Sequence, residues 1–370
     1  MRRALILLLV ACGRTGLTPL DTEPPVCARV GWRPGVPFTV ASPYEASASV
    51  ATLLDASAVQ VWPGAAQSFD WLGRPLGPSV AVPATGFVYV SPLGGAAGLA
   101  WVERGTWHTA RLDGAQLTPG GTYPAEPGLP KVVEAGGRLL LGVGGDEHVV
   151  VHGAAQRLEL GPGGRIAHAF ADGDSSVWLW SPKDGPTQLS RVSLDGARLA
   201  PDVTLFAGPV VDPSTVSLRH TFIAAASCGD GELAFATLET LSQQTPLRSR
   251  LSLGRMRLDG SIVAPLTPVA ADDHFAWMPA LWCDADHTAI VWVENVAASA
   301  GGLVSATRLM FDDGTGAVAL DDLAGSAAYF PRLSRSGGEH ARSDGDDLVV
   351  AWVRYGDAGY SSHLMKLGCR

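Results

Sequence analysis

Short runs in which apolar and polar residues alternate recur along the whole chain. Each is bounded by glycine, proline or aspartate, as in VQVW, GLAW, VWLW, LAFA, IVW and VVAW. Alternation with a period of two marks strands, and the bounding residues mark turns. These runs end at Trp62, Trp101, Trp180, Phe235, Trp292 and Trp352, and LLLGV brings Gly142 to the corresponding place in a further unit. An Asp/Gly-rich turn precedes most of them: LDAS, LGGAAG, EAGG, ADGDSS, CGDGE, CDADH and RSDGDD. A second turn follows, at Gly73, Gly114, Gly163, Gly196, Gly260, Gly314 and Gly368; RLDG, SLDG and RLDG are its clearest copies.

Each unit therefore reads as strand, tight turn, aromatic-bearing strand, variable loop, strand, Asp-Gly turn, strand. That is a four-stranded antiparallel meander, in which Asp-Gly suits the hairpins because glycine accepts positive φ. A period of 40–50 residues with four strands per unit predicts a β-propeller, and seven closing turns predict seven blades. The last unit stops after its third strand. The segment CARVGWRPGVPFTV, Cys27–Val40, is expected to supply the fourth strand and close the ring. The fold class is thus all-β, a seven-bladed propeller over residues 27–370; a pair of β-sandwiches is the rival architecture.

Composition supports many short strands: 370 residues, 46% hydrophobic, 17% charged, 44 glycines and 26 prolines. The net charge of −9 and the lack of a basic cluster argue against nucleic acid as a partner. The chain begins MRRALILLLVACG, with Arg2 and Arg3 ahead of an apolar run too short to span a bilayer. Leu9-Val10-Ala11-Cys12 resembles a bacterial lipobox, and nearly the whole mature chain resembles, in architecture, bacterial surface β-propeller lipoproteins. The resemblance implies a signal peptide over residues 1–11 and an acylated Cys12. Residues 13–26 then read as a flexible tether. It also implies export, with display at the outer membrane or cell surface. Several acyl chains on one residue anchor a protein stably.

Without Cys12 four cysteines remain, Cys27, Cys228, Cys283 and Cys369, which allow three pairings. Ring closure would bring Cys27 beside Cys369. Cys228 and Cys283 stand at the same place in successive units, just before the first hairpin turn, which favours a bond between neighbouring blades. No pair has CxxC spacing, so no structural zinc is expected. ADGDSS and SDGDDL do not match the EF-hand ligand series, and turn chemistry accounts for them without metal.

HExxH, GxSxG and a Walker glycine loop are all absent from the sequence, so catalysis has no motif behind it and no cofactor is implied. In a meander the first and third reversals share one end of every sheet. The second reversals and the links between units share the other. The second set varies in length, and variable loops on a rigid scaffold are the usual place for binding. That face is expected to carry Glu103, Trp107, His108, Glu239, Glu294, Arg354 and Tyr355, with Phe275, Trp277, Tyr329 and Phe330 from the links. Those aromatics either make a stacking platform for a sugar or peptide or pack between blades. The functional expectation is a monomeric, membrane-anchored binding or scaffold module with a protein or glycan partner, rather than an enzyme. The alternative is a glycan-acting hydrolase or lyase with its site at the channel mouth.

Overall fold

The computed structural model describes residues 33–34, 38–40, 52–54, 57–62, 64–70, 74–182, 185–206, 220–229, 231–242, 248–270, 275–284, 288–297, 303–311, 318–323, 327–335, 348–356 and 359–368. The fold is all-β and antiparallel. The described strands form seven sheets, six of them four-stranded. The first contains Thr52–Leu53, Ala58–Trp62, Ala65–Phe69 and Val80–Ala81. The second contains Val88–Leu93, Ala96–Glu103, Thr106–Asp113 and Gln116–Pro124. The third contains Leu129–Ala135, Arg138–Gly144, His148–His152 and Arg157–Pro162. The fourth contains Gly164–Asp172, Ser175–Pro182, Thr187–Ser193 and Val203–Phe206. The fifth contains His220–Gly229, Glu232–Ser242, Arg248–Arg257 and Ile262–Pro268. The sixth contains Phe275–Cys283, Thr288–Ala297, Leu303–Phe311 and Val318–Leu323. The seventh contains Ala327–Arg335, Leu348–Gly356 and Gly359–Gly368, with Arg33–Pro34 and Phe38–Val40 both paired to the last of these.

In each complete sheet the strands follow one another in chain order, so each unit is the expected meander. The first strands of successive sheets touch in sequence from Thr52–Leu53 to Ala327–Arg335, and Ala327–Arg335 touches Thr52–Leu53 again. The repeated turn has the backbone that its glycine predicts, with φ of 54° at Gly114 and 87° at Gly260. At the second of these, the Asp259 carboxylate accepts the Ser261 amide at 2.8 Å, which fixes the turn locally.

Two expectations need correction. The closing turn of the third unit is not at Gly163. His152 pairs with Arg157, and the Gly153 amide donates to the Gln156 carbonyl at 3.0 Å, so Gly153–Gln156 makes that reversal. Gly163 lies between the third and fourth sheets, where a Cβ would collide with the main chain of Asp146. It is a glycine for close backbone approach, not for a hairpin. With Gly153 in its place the spacing from Gly114 is 39 residues and onward to Gly196 is 43. Second, most of the aromatics do not end their strands: Ala58–Trp62 does stop at Trp62, but Ala96–Glu103 continues past Trp101, Glu232–Ser242 past Phe235 and Thr288–Ala297 past Trp292.

The core is a series of seams between sheets. Trp101 packs with Leu54, Val59 and Val61 of the first sheet. Trp178 and Trp180 pack with Val133, Val149 and Leu160 of the third. Phe235 packs with Val177, Leu179 and Leu189 of the fourth, and Trp292 with Ala234, Leu251 and Leu253 of the fifth. The aromatic of the second strand thus faces the preceding sheet each time, filling the seam as expected. The indole N–H groups of Trp178 and Trp180 donate to Ser176 and Ser190 at 2.8 and 3.0 Å, so burial of these rings leaves their donors satisfied. Gly142 is not the third sheet's counterpart of these aromatics; it makes room for one of them, as described below.

Cys228 and Cys283 form a disulfide with Cα atoms 4.6 Å apart, joining the first strands of the fifth and sixth sheets. That separation is within the range a disulfide requires. Cys12, Cys27 and Cys369 lie outside the described residues.

Candidate functional site

Two cavities flank the seam between the second and third sheets. The first, of about 310 Å³, is lined by Phe87, Tyr89, Val102, Trp107, Glu126, Pro127 and Gly128. Its residues come from the start of the second sheet's first strand, the flanks of its second reversal and the link into the third sheet. It therefore opens at the end of the sheets that carries the variable loops.

The walls are set by local structure. Glu103-Arg104-Gly105-Thr106 is a tight reversal with φ of 50° at Arg104 and 77° at Gly105. The Gly105 carbonyl accepts the Ala125 amide at 3.0 Å, which ties the link to this reversal. The Trp107 indole donates to the Glu126 main-chain carbonyl at 3.2 Å, a second tie. Tyr89 and Trp107 meet edge to face, with ring centres 6.0 Å apart and planes at 63°, forming a corner. Phe87 is 84% exposed, and Leu129, the residue after Gly128, is 65% exposed. Exposed large apolar residues gathered beside a cavity are a mark of binding surfaces.

Behind the cavity is a polar group of residues. Glu126 accepts two hydrogen bonds from Arg157, at 2.6 and 3.1 Å. This charge-assisted pair holds the Glu126 carboxyl below its ordinary range. The buried His152 imidazole lies 3.8 Å from the same carboxylate and against the Tyr123 ring, with centres 5.0 Å apart. Burial lowers the His152 value, which keeps the ring neutral at neutral pH.

The second cavity, of about 400 Å³, is at the opposite end of the same seam. It is lined by the Thr118–Tyr123 stretch, by Gly137–Leu139, and by Arg111, Glu134, Gly153 and Ala154. Its charges are already matched within the protein: Arg111 binds Glu134 at 3.0 Å and Asp113 at 2.9 Å, and Arg138 lies 3.5 Å from Asp195.

Of the sequence-predicted residues, Trp107 lines the first cavity and Glu103 stands at its reversal. His108 faces elsewhere, stacked on Trp101 at 5.5 Å with planes 12° apart. Glu239 is buried and held by Arg250 at 3.1 Å, in the fifth sheet. Glu294 is also buried, and Phe275 is partly exposed, both in the sixth sheet. Trp277 pairs with Val293, Tyr329 with Val353, Arg354 with Ala328 and Tyr355 with Ala327, while Phe330 falls in the register shift after Tyr329. These residues belong to the sixth and seventh sheets, so they are not gathered at the cavity. Phe87, Tyr89, Val102 and Glu126 escape sequence reasoning; the only hint is an apolar FVYV run directly after a Pro/Gly-rich stretch. Among the described residues no group of three or more His, Cys, Asp or Glu could hold a metal ion.

No family model matches the chain, and no curated protein matches it. Solved structures with a similar arrangement include the polysaccharide lyase Uly1, at 9% identity over 89% of this chain and 91% of that one, TM-score 0.48. Another is the α-L-arabinanase of Penicillium chrysogenum complexed with arabinobiose, at 9% identity over 91% and 99%, TM-score 0.45. A third is the WD40 domain of SCAP from fission yeast, at 8% identity over 91% and 98%, TM-score 0.44. At such values the likeness carries nothing about activity. What the chain itself has is an all-β fold of four-stranded antiparallel sheets.

Proposed function

We propose that this chain is an exported, lipid-anchored seven-bladed β-propeller that binds a partner through its variable-loop face. The cyclic contact of the first strands, with residues 33–40 pairing to the last strand, supports a closed ring. Arg33 pairs with Gly368, which brings the segment after Cys27 to the residue before Cys369 and supports a bond between those two cysteines. The lipobox residues Leu9–Cys12 support anchoring at the outer membrane or cell surface.

The direction of the N-terminal strand adds an orientation. Arg33 enters opposite Gly368 and Val40 leaves opposite Ser362, whereas the Gly356/Gly359 hairpin marks the variable-loop end of this sheet. Arg33, the first described residue, therefore lies at the short-turn end. An acylated Cys12 would put the membrane on that side and turn the variable-loop face away from it.

The observation that carries the binding role is the cavity with three aromatic side chains and an exposed apolar rim at that face. The alternative, a glycan hydrolase or lyase, calls for paired acid and base groups; glycoside hydrolysis by the usual route needs two carboxylates. The cavity offers one, and Arg157 already holds it. The test is photo-crosslinking on intact cells from an unnatural residue at Val102. Capture of a defined partner, lost when the cross-linker is moved to Leu199, is the expected result. Equal capture from both positions would overturn the assigned face. Replacing Cys12 by Ala should release the protein from membranes; retention would remove the anchor from the proposal.

A further inference from the structure

The cavity beneath Phe87 points to a class of ligand, and this step rests on the binding reading above. We propose that it takes an organic cation, an alkylated ammonium group.

Three observations converge. First, the walls are aromatic and meet at an angle. Tyr89 and Trp107 stand edge to face at 63°, and Phe87 presents a free ring beside them. A flat sugar platform wants coplanar stacking; rings around a corner suit a compact cation, which is drawn to several π faces at once. Second, the lining has no cationic side chain, and its one carboxyl group, Glu126, is held in the ionised form. Arg157 stands behind Glu126 and offsets its charge, so the ring faces supply most of the attraction. Third, the polar side-chain groups of Trp107 and Glu126, which a sugar could otherwise use, are already engaged. The Trp107 indole N–H is committed to the Glu126 carbonyl and both Glu126 carboxylate oxygens to Arg157. The volume, about 310 Å³, is at the small end of ligand pockets. The net charge of −9 favours the approach of a cation from a distance.

The test compares choline with its neutral isostere 3,3-dimethyl-1-butanol, which has the same shape without the charge. Binding to the full chain is followed by calorimetry and by tryptophan fluorescence. Choline is expected to bind saturably and at least ten-fold more tightly than the isostere. Phe87→Leu, which keeps an apolar side chain but removes the ring, should weaken choline about ten-fold with no change in thermal midpoint. Leu76→Ser, an exposed position in the stretch after the first sheet's third strand, should leave choline binding intact. Equal affinity for choline and the isostere, or choline binding indifferent to Phe87→Leu, would overturn the proposal. So would the absence of saturable choline binding. Glycerophosphocholine and a trimethyl-lysine peptide then separate a lipid-headgroup source from a protein source. Either one exceeding the isostere supports the cation site. If choline fails while capture from Val102 still depends on Phe87, the ligand class falls and the binding face stands. If both fail, the binding reading falls with it.

Discussion

Gly142 of the third sheet lies directly against the Trp178 ring of the fourth. A Cβ on Gly142 would occupy the space of that ring and crowd Ile166 as well. Gly161, on the last strand of the same sheet, stands in the same relation to Trp180. Two glycines of one sheet thus make the holes that two indoles of the next sheet fill. Gly142→Val should therefore overpack a dense seam and cost about 1–3 kcal/mol, read as a lower urea midpoint with an unchanged slope. Adding Trp178→Phe should recover part of the loss, because the two positions share one space.

A serine bridges the fifth and sixth sheets. The Ser249 hydroxyl donates to the Ala276 carbonyl at 2.9 Å and accepts the Ala276 amide at 2.8 Å, in a fully buried position. Ser249→Ala removes both partners and leaves a buried amide and carbonyl unpaired. A loss of about 1–3 kcal/mol is expected in chemical denaturation. A change below a few tenths would show that the seam relaxes to pair them otherwise.

The Cys228–Cys283 bond closes a loop of 55 residues across the same seam. In the chain-entropy view its removal costs about 4 kcal/mol. Cys228→Ser combined with Cys283→Ser should lower the denaturation midpoint by that order, and mild reduction of the wild-type protein should match it. An unchanged midpoint in both would mean that the seam's apolar contacts suffice alone.

Acid should weaken the fold through two imidazoles, the buried His152 and the half-buried His168. Burial pushes His168 down to about 3, and the nearby Lys131 ammonium adds to the shift. His152 is lowered as well, again chiefly by burial. For His168 the unfolded chain titrates near 6.5, so between 6.5 and about 3 the unfolded state binds the extra proton. Stability is full above pH 6.5 and declines as pH falls through that window. Urea midpoints at pH 7, 5.5 and 4 should fall more steeply for wild type than for His168→Asn. Parallel profiles would show that His168 does not set the slope.

The sequence by itself determined the repeating meander and most of its turns, and it favoured the pairing of Cys228 with Cys283. Each of these is a local pattern: alternation writes strands, Asp-Gly writes hairpins, and equal phase in neighbouring units brings two cysteines to the same height. It misplaced one repeat because a glycine can serve either a hairpin or a close backbone crossing, and at Gly163 only the neighbouring Asp146 main chain decides which. The cavity was decided by tertiary structure alone. Phe87, Tyr89, Trp107 and Glu126 come from two strands and a link whose approach depends on how the second sheet packs on the third. Strand periodicity says which side of a sheet a residue faces; it does not say whether the neighbouring sheet fills the space there or leaves it open.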